Sequence, residues 1–233
     1  MASKKHLRTL REGTVINVTS KFQDKALGRV VLRIMERLYE DFPNIKLQLD
    51  SKWMLTDIVD SLSSCFPDVD FHCYHERSHM RPDGGILQML DTNGILYPVL
   101  IGERKNQGTN DLRALEGKPP QAKGNAIERL GKNVIGFRTA MLMENIFPFV
   151  CFGDGCDFAE DSSIIDRVVT IAMFGELNRT YLHVESSLFN RGSFYFKVEQ
   201  WQEDEMFEIA SEIAEASIYY YFSKYGKPAF IHS

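Results

Sequence analysis

Asp83, Glu103 and Lys105 bracket an apolar hairpin sequence that runs from RPDGGI to IGERKN. Side chains on a strand alternate between faces, so Glu103 and Lys105 point one way and Arg104 the other. The turn sequence DTNG, Asp91–Gly94, folds the chain back near Asn93. Asp83 is then expected to face Glu103, with a slip of one residue if the loop holds four. Directly opposed residues on antiparallel strands have Cβ atoms roughly 5 Å apart. Two carboxylates that close repel, and a hard divalent cation between them resolves the repulsion; oxygen ligands suit Mg2+. Lys105 would add a fixed positive charge. At an ordinary pKa of about 10.4 it is not a base. This chemistry suits metal-dependent phosphodiester hydrolysis. An exposed hairpin edge with an ordinary salt bridge would carry the same three residues, and the bare pattern does not separate the two.

The elements that must position these residues follow from periodicity. Lys25–Tyr39 carries Leu27, Val30, Val31, Ile34, Met35 and Leu38 at helical spacing. Thr56–Ser64 is a second predicted helix, with Ile58, Val59 and Leu62 inward. Val69–His75 alternates as a strand. Ile86–Leu90 and Ile95–Lys105 are the hairpin strands, and Pro98 implies an edge, a bulge or a break in pairing. Asn106–Lys123 is predicted to be a loop. Asn125–Asn145 is a helix through Ile127, Leu130, Val134, Phe137 or Arg138, and Met141. Phe147–Phe152, Val168–Phe174 and Phe194–Val198 are predicted strands, and Met206–Tyr221 is a final amphipathic helix. Strands and helices interleave, which gives an α/β fold.

Composition sets the class. The chain has 233 residues, 44% hydrophobic and 25% charged, as in ordinary globular proteins. We expect one domain over 1–233, with 1–16 as a basic N-terminal arm carrying Lys4, Lys5, Arg8 and Arg11. No apolar run is long enough for a bilayer, and the N-terminus lacks a signal-peptide core, so a cytoplasmic location is expected. The net charge of −5 argues against a polyanion partner until its distribution is read. Between Gly102 and Arg138 eight Lys/Arg stand against four Asp/Glu. Between Gln200 and Ser217 there are six acidic residues and no basic one. One face is therefore suited to a polyanion. His72, Cys73, His75 and His79 cluster without a second pair at zinc-finger spacing, and their alternation reads as a strand.

Longer motifs add identity. PDGGI (Pro82–Ile86), the E-x-K-x-Q-G run from Glu103 to Gly108, GNAIER (Gly124–Arg129) and Leu177-Asn178-Arg179 resemble type II restriction endonucleases of the EcoRI-like family, within the PD-(D/E)xK nucleases. The resemblance is strong over Arg81–Phe152, faint over Lys21–Phe71 and absent at the C-terminus. It implies a central mixed β-sheet flanked by helices, a homodimer, and Mg2+-dependent cutting of double-stranded DNA at a palindromic site with 5′ four-nucleotide overhangs. It implies that Asp83, Glu103 and Lys105 are catalytic and that Asp83 and Glu103 hold the metal, with Asp57 or Asp60 as an assisting acid. Gly124, Asn125, Ala126, Glu128 and Arg129 would read bases, joined by Arg179, Arg81, Gln107 and Gln121. An asparagine at a helix start can pair bidentately with adenine N7 and N6. Members sharing GNAIER imply AATT at the centre of the site. The family pattern has a second arginine three residues after the position of Arg179, and Leu182 stands there. Gln121 stands where the pattern has a methionine. Both departures imply a relaxed outer base pair, purine–AATT–pyrimidine or AATT alone. A companion adenine methyltransferase is implied as well.

Two other functions fit parts of this pattern. A repair or junction nuclease of the same fold would keep the catalytic triplet but has no need of GNAIER. A non-cleaving, site-specific DNA-binding protein would need a broken triplet, and here it is intact. A small-molecule enzyme would need a cofactor loop, which the sequence lacks.

Overall fold

The computed structural model describes residues 15–106, 117, 125–155, 158, 165, 168, 176–183 and 191–232, with side chains described except for 15–24, 125, 126 and 128. Its centre is a five-stranded mixed sheet in the order β1-β4-β5-β6-β7. The strands are β1 (Lys46–Asp50), β4 (Gly85–Leu90), β5 (Leu96–Asn106), β6 (Phe149–Asp154) and β7 (Ser193–Lys197). β4 runs antiparallel to both β1 and β5, whereas β5, β6 and β7 are parallel. A two-stranded ribbon pairs β2 (Trp53–Met54) with β3 (His79–Met80).

Helices cover both faces. α1 (Val15–Asp41) and α4 (Glu203–Tyr225) pack on one side. Leu27, Val30, Val31, Ile34 and Leu38 of α1 are buried with Ala210, Ile213, Ala214, Ile218 and Tyr221 of α4 and with Leu87, Met89 and Leu100 of the hairpin. α3 (Asn125–Ala140) covers the other face through Ile127, Leu130, Val134 and Phe137, against Ile86, Ile101, Phe149 and Cys151. The small residues of α4, Ala210 and Ala214, admit the close approach of α1. Its acidic start suits the helix dipole. Gln202 and Glu205 close a capping box there, while Glu203 and Asp204 pair with Arg29 and Arg33 of α1.

The predicted helices at 25–39, 125–145 and 206–221 and the strands at 86–90, 95–105, 147–152 and 194–198 are present with shifted ends. α3 stops at Ala140 rather than Asn145, where Arg138 Nη1 donates to Met141 O at 2.6 Å and closes the helix. α2 (Leu55–Cys65) forms as expected, but none of its residues is fully buried, so Ile58, Val59 and Leu62 are only half inward. Val69–His75 is not a strand. Val69 and Tyr74 are exposed, and the ladder falls later, at His79–Met80. β1 was not foreseen, because its alternation rests on Leu47 and Leu49 alone. The chain is already helical from Val15, inside the expected 1–16 arm, whose residues 1–14 lie outside the described ones. Of Asn106–Lys123 and Val168–Phe174, only Asn106, Gly117 and Val168 are described. No described helix is long and apolar enough to cross a membrane.

A buried ion pair locks the strands that carry the hairpin's end. Arg104 Nη2 meets Asp154 Oδ2 at 2.6 Å, with side chains 1% and 3% exposed. Asn106 Nδ2 and Trp201 N also donate to Asp154, at 3.0 and 3.1 Å. Burial of both charges is tolerable only because each carboxylate oxygen is satisfied. Asp154→Ala would remove the carboxylate that meets the buried guanidinium. We expect it to cost about 3–5 kcal/mol of unfolding free energy, read from urea midpoints. A loss below about 1 kcal/mol would show that the pair does not hold β5 to β6.

Candidate active site

The site is built at the end of the hairpin away from its turn. Near the turn Gln88 pairs with Pro98; beyond it Leu87 pairs with Leu100 and Gly85 with Gly102. Val99 is left as an extra residue, so Pro98 marks a β-bulge. The register slip of one therefore comes from this bulge, not from the length of the turn. Continued past Gly85, the shifted register sets Asp83 level with Arg104 rather than with Glu103. Arg104 N donates to Asp83 Oδ2 at 3.1 Å. Glu103 and Lys105 thus flank Asp83 on either side.

The two glycines of PDGG make that placement fit. A Cβ on Gly84 would stand 2.8 Å from Leu27 Cγ, so Gly84 admits the α1 side chain under the loop. Gly85 has φ of +81°, where its absent side chain relieves strain. It also lies where a Cβ would meet Asp50 O at 3.0 Å. Asp83 is therefore held between a helix and the edge of β1.

The three groups meet. Lys105 Nζ lies 3.4 Å from Asp83 Oδ2 and in direct contact with Glu103 Oε1. Asp83 N donates to Glu103 Oε2 at 3.3 Å. Glu103 is 1% exposed, whereas the Asp83 side chain is 32% exposed. One carboxylate is thus walled in and the other opens to solvent. Burial pushes the Glu103 carboxyl above its ordinary range; Lys105 draws it down, and Asp83 pushes it up again. Burial pulls the Lys105 ammonium down, but Glu103 and Asp83 outweigh it and its pKa is pushed up to about 12. Lys105 is therefore a cation throughout the working range. Its ammonium bridges two carboxylates, so the pocket attracts positive charge, and its oxygen donors are of the type that hard divalent cations take. Among the described residues, no group of three or more His, Cys, Asp and Glu side chains is gathered to hold a metal.

Two neighbours were not visible in the sequence. Asn133 of α3 donates from Nδ2 to Glu103 Oε1 at 3.2 Å. Its only signal was the helical register that puts it one turn beyond Arg129. Cys151 pairs with Glu103 across β5 and β6; burial pushes its thiol well up, so it stays neutral.

The other expected site residues are more scattered. Arg81 and Arg129 are exposed. Asn125, Ala126 and Glu128 lie on the first turn of α3, their side chains outside the description, and Gly124, Gln107 and Gln121 fall outside the described residues. Arg179 projects into solvent, bonded to Glu176 at 2.8 Å. Its turn is pinned by Asn178, at φ of 60°, whose Oδ1 accepts from Phe196 N at 2.8 Å. Leu182 is buried in the core. Asp57 lines a separate cavity of about 490 Å3 with Asp50, Trp53 and Gln88. There Gln88 Nε2 donates to Asp50 Oδ2 at 2.7 Å, and Gln88 Oε1 accepts from Trp53 Nε1 at 3.2 Å. No described bond joins Asp57 or Asp60 to Asp83 or Glu103.

Comparison with known proteins covers this whole arrangement. A family model described as "Restriction endonuclease EcoRI" matches residues 12–179, which contain α1, the hairpin, α3 and the Arg179 turn. The type II restriction enzyme RsrI of Cereibacter sphaeroides is 31% identical, over 88% of this chain and 87% of its own. The type II restriction enzyme EcoRI of Escherichia coli is 27% identical, over 85% of each chain. A hairpin that gathers PD and ExK, beside a helix that opens on NAIER, thus lies within a match spanning most of the sequence, and the chain belongs to the EcoRI family of type II restriction endonucleases.

Proposed function

We propose that this endonuclease acts as a homodimer, each chain one domain in the bacterial cytoplasm, and hydrolyses double-stranded DNA at a palindromic, AATT-centred site, leaving 5′-AATT ends. The observation that carries the reading is the meeting of Asp83, Glu103 and Lys105 at one solvent-facing edge. Asp83 and Glu103 would hold Mg2+, with phosphate oxygens and water completing its shell, as Mg2+ usually requires. When bound, the ion supplies Lewis-acid polarisation of the phosphodiester and neutralises its charge.

The chain's own residues do the rest. Lys105, fixed as an ammonium, orients a phosphate oxygen or the attacking water and stabilises charge that grows in the transition state. It does not take the proton of that water, because its pKa is too high. Glu103, walled in by β6 and α3, excludes bulk water from one side of the site. Gly124, Asn125, Ala126, Glu128 and Arg129 enter the major groove where a loop meets the start of α3, and that helix end favours the approach of phosphate. Arg81, Gln107, Gln121 and Arg179 complete the DNA contact. A two-fold dimer matches a palindrome by symmetry. The burial of Leu182 removes it from the DNA side, which supports a relaxed outer pair, RAATTY or AATT, over strict GAATTC. A companion methyltransferase would protect host DNA at adenine N6, where a methyl group removes a donor that Asn125 reads.

Long linear DNA cut in Mg2+ should give discrete ends reading 5′-AATT, with flanking bases that include pairs other than G·C. Ends confined to GAATTC would refute the relaxed site, and random nicking would refute the site reading altogether. Asp83→Ala should lower single-turnover cutting by roughly 10³-fold or more while metal-free DNA binding persists; unaltered cutting would remove Asp83 from the mechanism. Lys105 has a folded pKa raised above its unfolded value, so its stabilising contribution is complete below about pH 10 and fades as pH rises through about 12. The difference in melting temperature between metal-free wild type and Lys105→Ala should accordingly stay constant from about pH 7 to 9. A difference that shrinks within that window would mean that Lys105 loses its proton there.

A further inference from the structure

Glu103 accepts three hydrogen bonds among the described residues. Two come from its own hairpin: Asp83 N to Oε2 at 3.3 Å, and Lys105 Nζ to Oε1. The third comes from Asn133 Nδ2 to Oε1, at 3.2 Å, and crosses from α3. Asn133 is therefore the described side-chain link between the helix and the buried carboxylate. The same helix begins at Asn125. Arg129 is four residues before Asn133 and Asn125 eight before, so the three stand near one side of α3, one turn apart. Arg129 is exposed and Asn133 reaches inward to the sheet. Arg129 in this row faces solvent, where DNA would lie, and Asn133 touches Glu103.

We infer that Asn133 is a positioning residue for Glu103, which makes the orientation of that carboxylate depend on how α3 is seated. The physical reason lies in the geometry of Oε1. That oxygen is shared between a cation on the hairpin and an amide on the helix. With the amide in place, the carboxylate plane is fixed by bonds from two elements. Without it, Glu103 is oriented by its own hairpin alone and rotates toward Lys105. A helix shift of a few tenths of an ångström, imposed by DNA at its first turns, reaches Glu103 through Asn133. The two glycines of α3 have different surroundings. A Cβ on Gly131 would meet nothing within 4 Å, whereas one on Gly136 would strike Met80 Sδ. The helix thus lies against β3 at Gly136, while Gly131 faces open space.

The inference rests on the divalent-metal reading above, and the experiment separates the two. Asn133→Leu removes the donor and keeps the branched shape, and Asn133→Gln keeps an amide. For each variant, three quantities are measured on a duplex bearing the cut site recovered from fragment ends. They are single-turnover cleavage with saturating enzyme, Kd for DNA without metal, and calorimetric affinity of the protein–DNA complex for Ca2+. Asn133→Leu is expected to lose about 10–100-fold in cleavage rate and to bind Ca2+ more weakly, with metal-free Kd changed by less than about threefold. Asn133→Gln should recover part of the rate. Cleavage of a duplex with one base changed should fall less than that of the cut site, because less discrimination then reaches Glu103. Three outcomes would overturn the role. Cleavage within about twofold of wild type would show that Asn133 positions nothing. A metal-free Kd raised by the same factor as the rate falls would make Asn133 a DNA contact instead. Equal losses in melting temperature and rate, with no recovery by Gln, would make it structural. If the wild type itself showed no dependence on divalent metal, the metal reading would fail independently of Asn133.

Discussion

A carboxylate almost wholly removed from water must be matched by nearby donors or it will hold its proton, and Glu103 is in that position. Everything around the hairpin end serves this requirement. Lys105 supplies charge from two residues away, Asp83 supplies its amide, and α3 supplies an amide side chain. The same constraint explains why the pocket holds an ammonium so firmly. A surplus of negative charge in a low-dielectric recess raises the cost of losing any cation there.

β5 carries two opposed electrostatic systems on alternate side chains. Glu103 and Lys105 face α3, and Arg104 faces α4. The first system is open on one side and adaptable, because Asp83 reaches solvent. The second is sealed, with Arg104 and Asp154 bonded in the interior. A strand that must present reactive groups on one face is thereby fixed by a static ion pair on the other. The division follows from the two-residue period of the strand, and a rigid scaffold beneath a reactive edge is what precise positioning needs.

Much of this was legible from the sequence, for identifiable reasons. α1, α3 and α4 are long enough that the apolar period is unambiguous, and the DTNG turn fixes the hairpin. Alternation alone put Glu103 and Lys105 on one face. The gathering of Asp83 with them could be inferred, but its level could not, since Pro98 signals an irregularity without saying which residue is extra. β1 carries too few apolar residues to announce itself. The segment at 69–75 alternates, but no described strand pairs with it. Asn133 could not be found by spacing, because its bond to Glu103 depends on how closely α3 lies against β5. Leu182 shows the reverse case: a position singled out by its departure from a family pattern proves to be a core residue.

The hairpin has two ends, and the end remote from Glu103 is sewn to the last described residues. Thr92 N donates to Ala229 O at 2.8 Å, and His232 bonds Leu90 O at 3.0 Å and, through its backbone N, Asn44 O at 2.8 Å. About eight strand residues, roughly 25 Å at 3.3 Å each, separate this seam from Glu103. A flexible tether attached beside His232 would therefore start at the far end of the hairpin. Immobilised on a bead or a sensor chip by that tether, the enzyme would keep its reactive edge turned outward and open to long duplexes in flow.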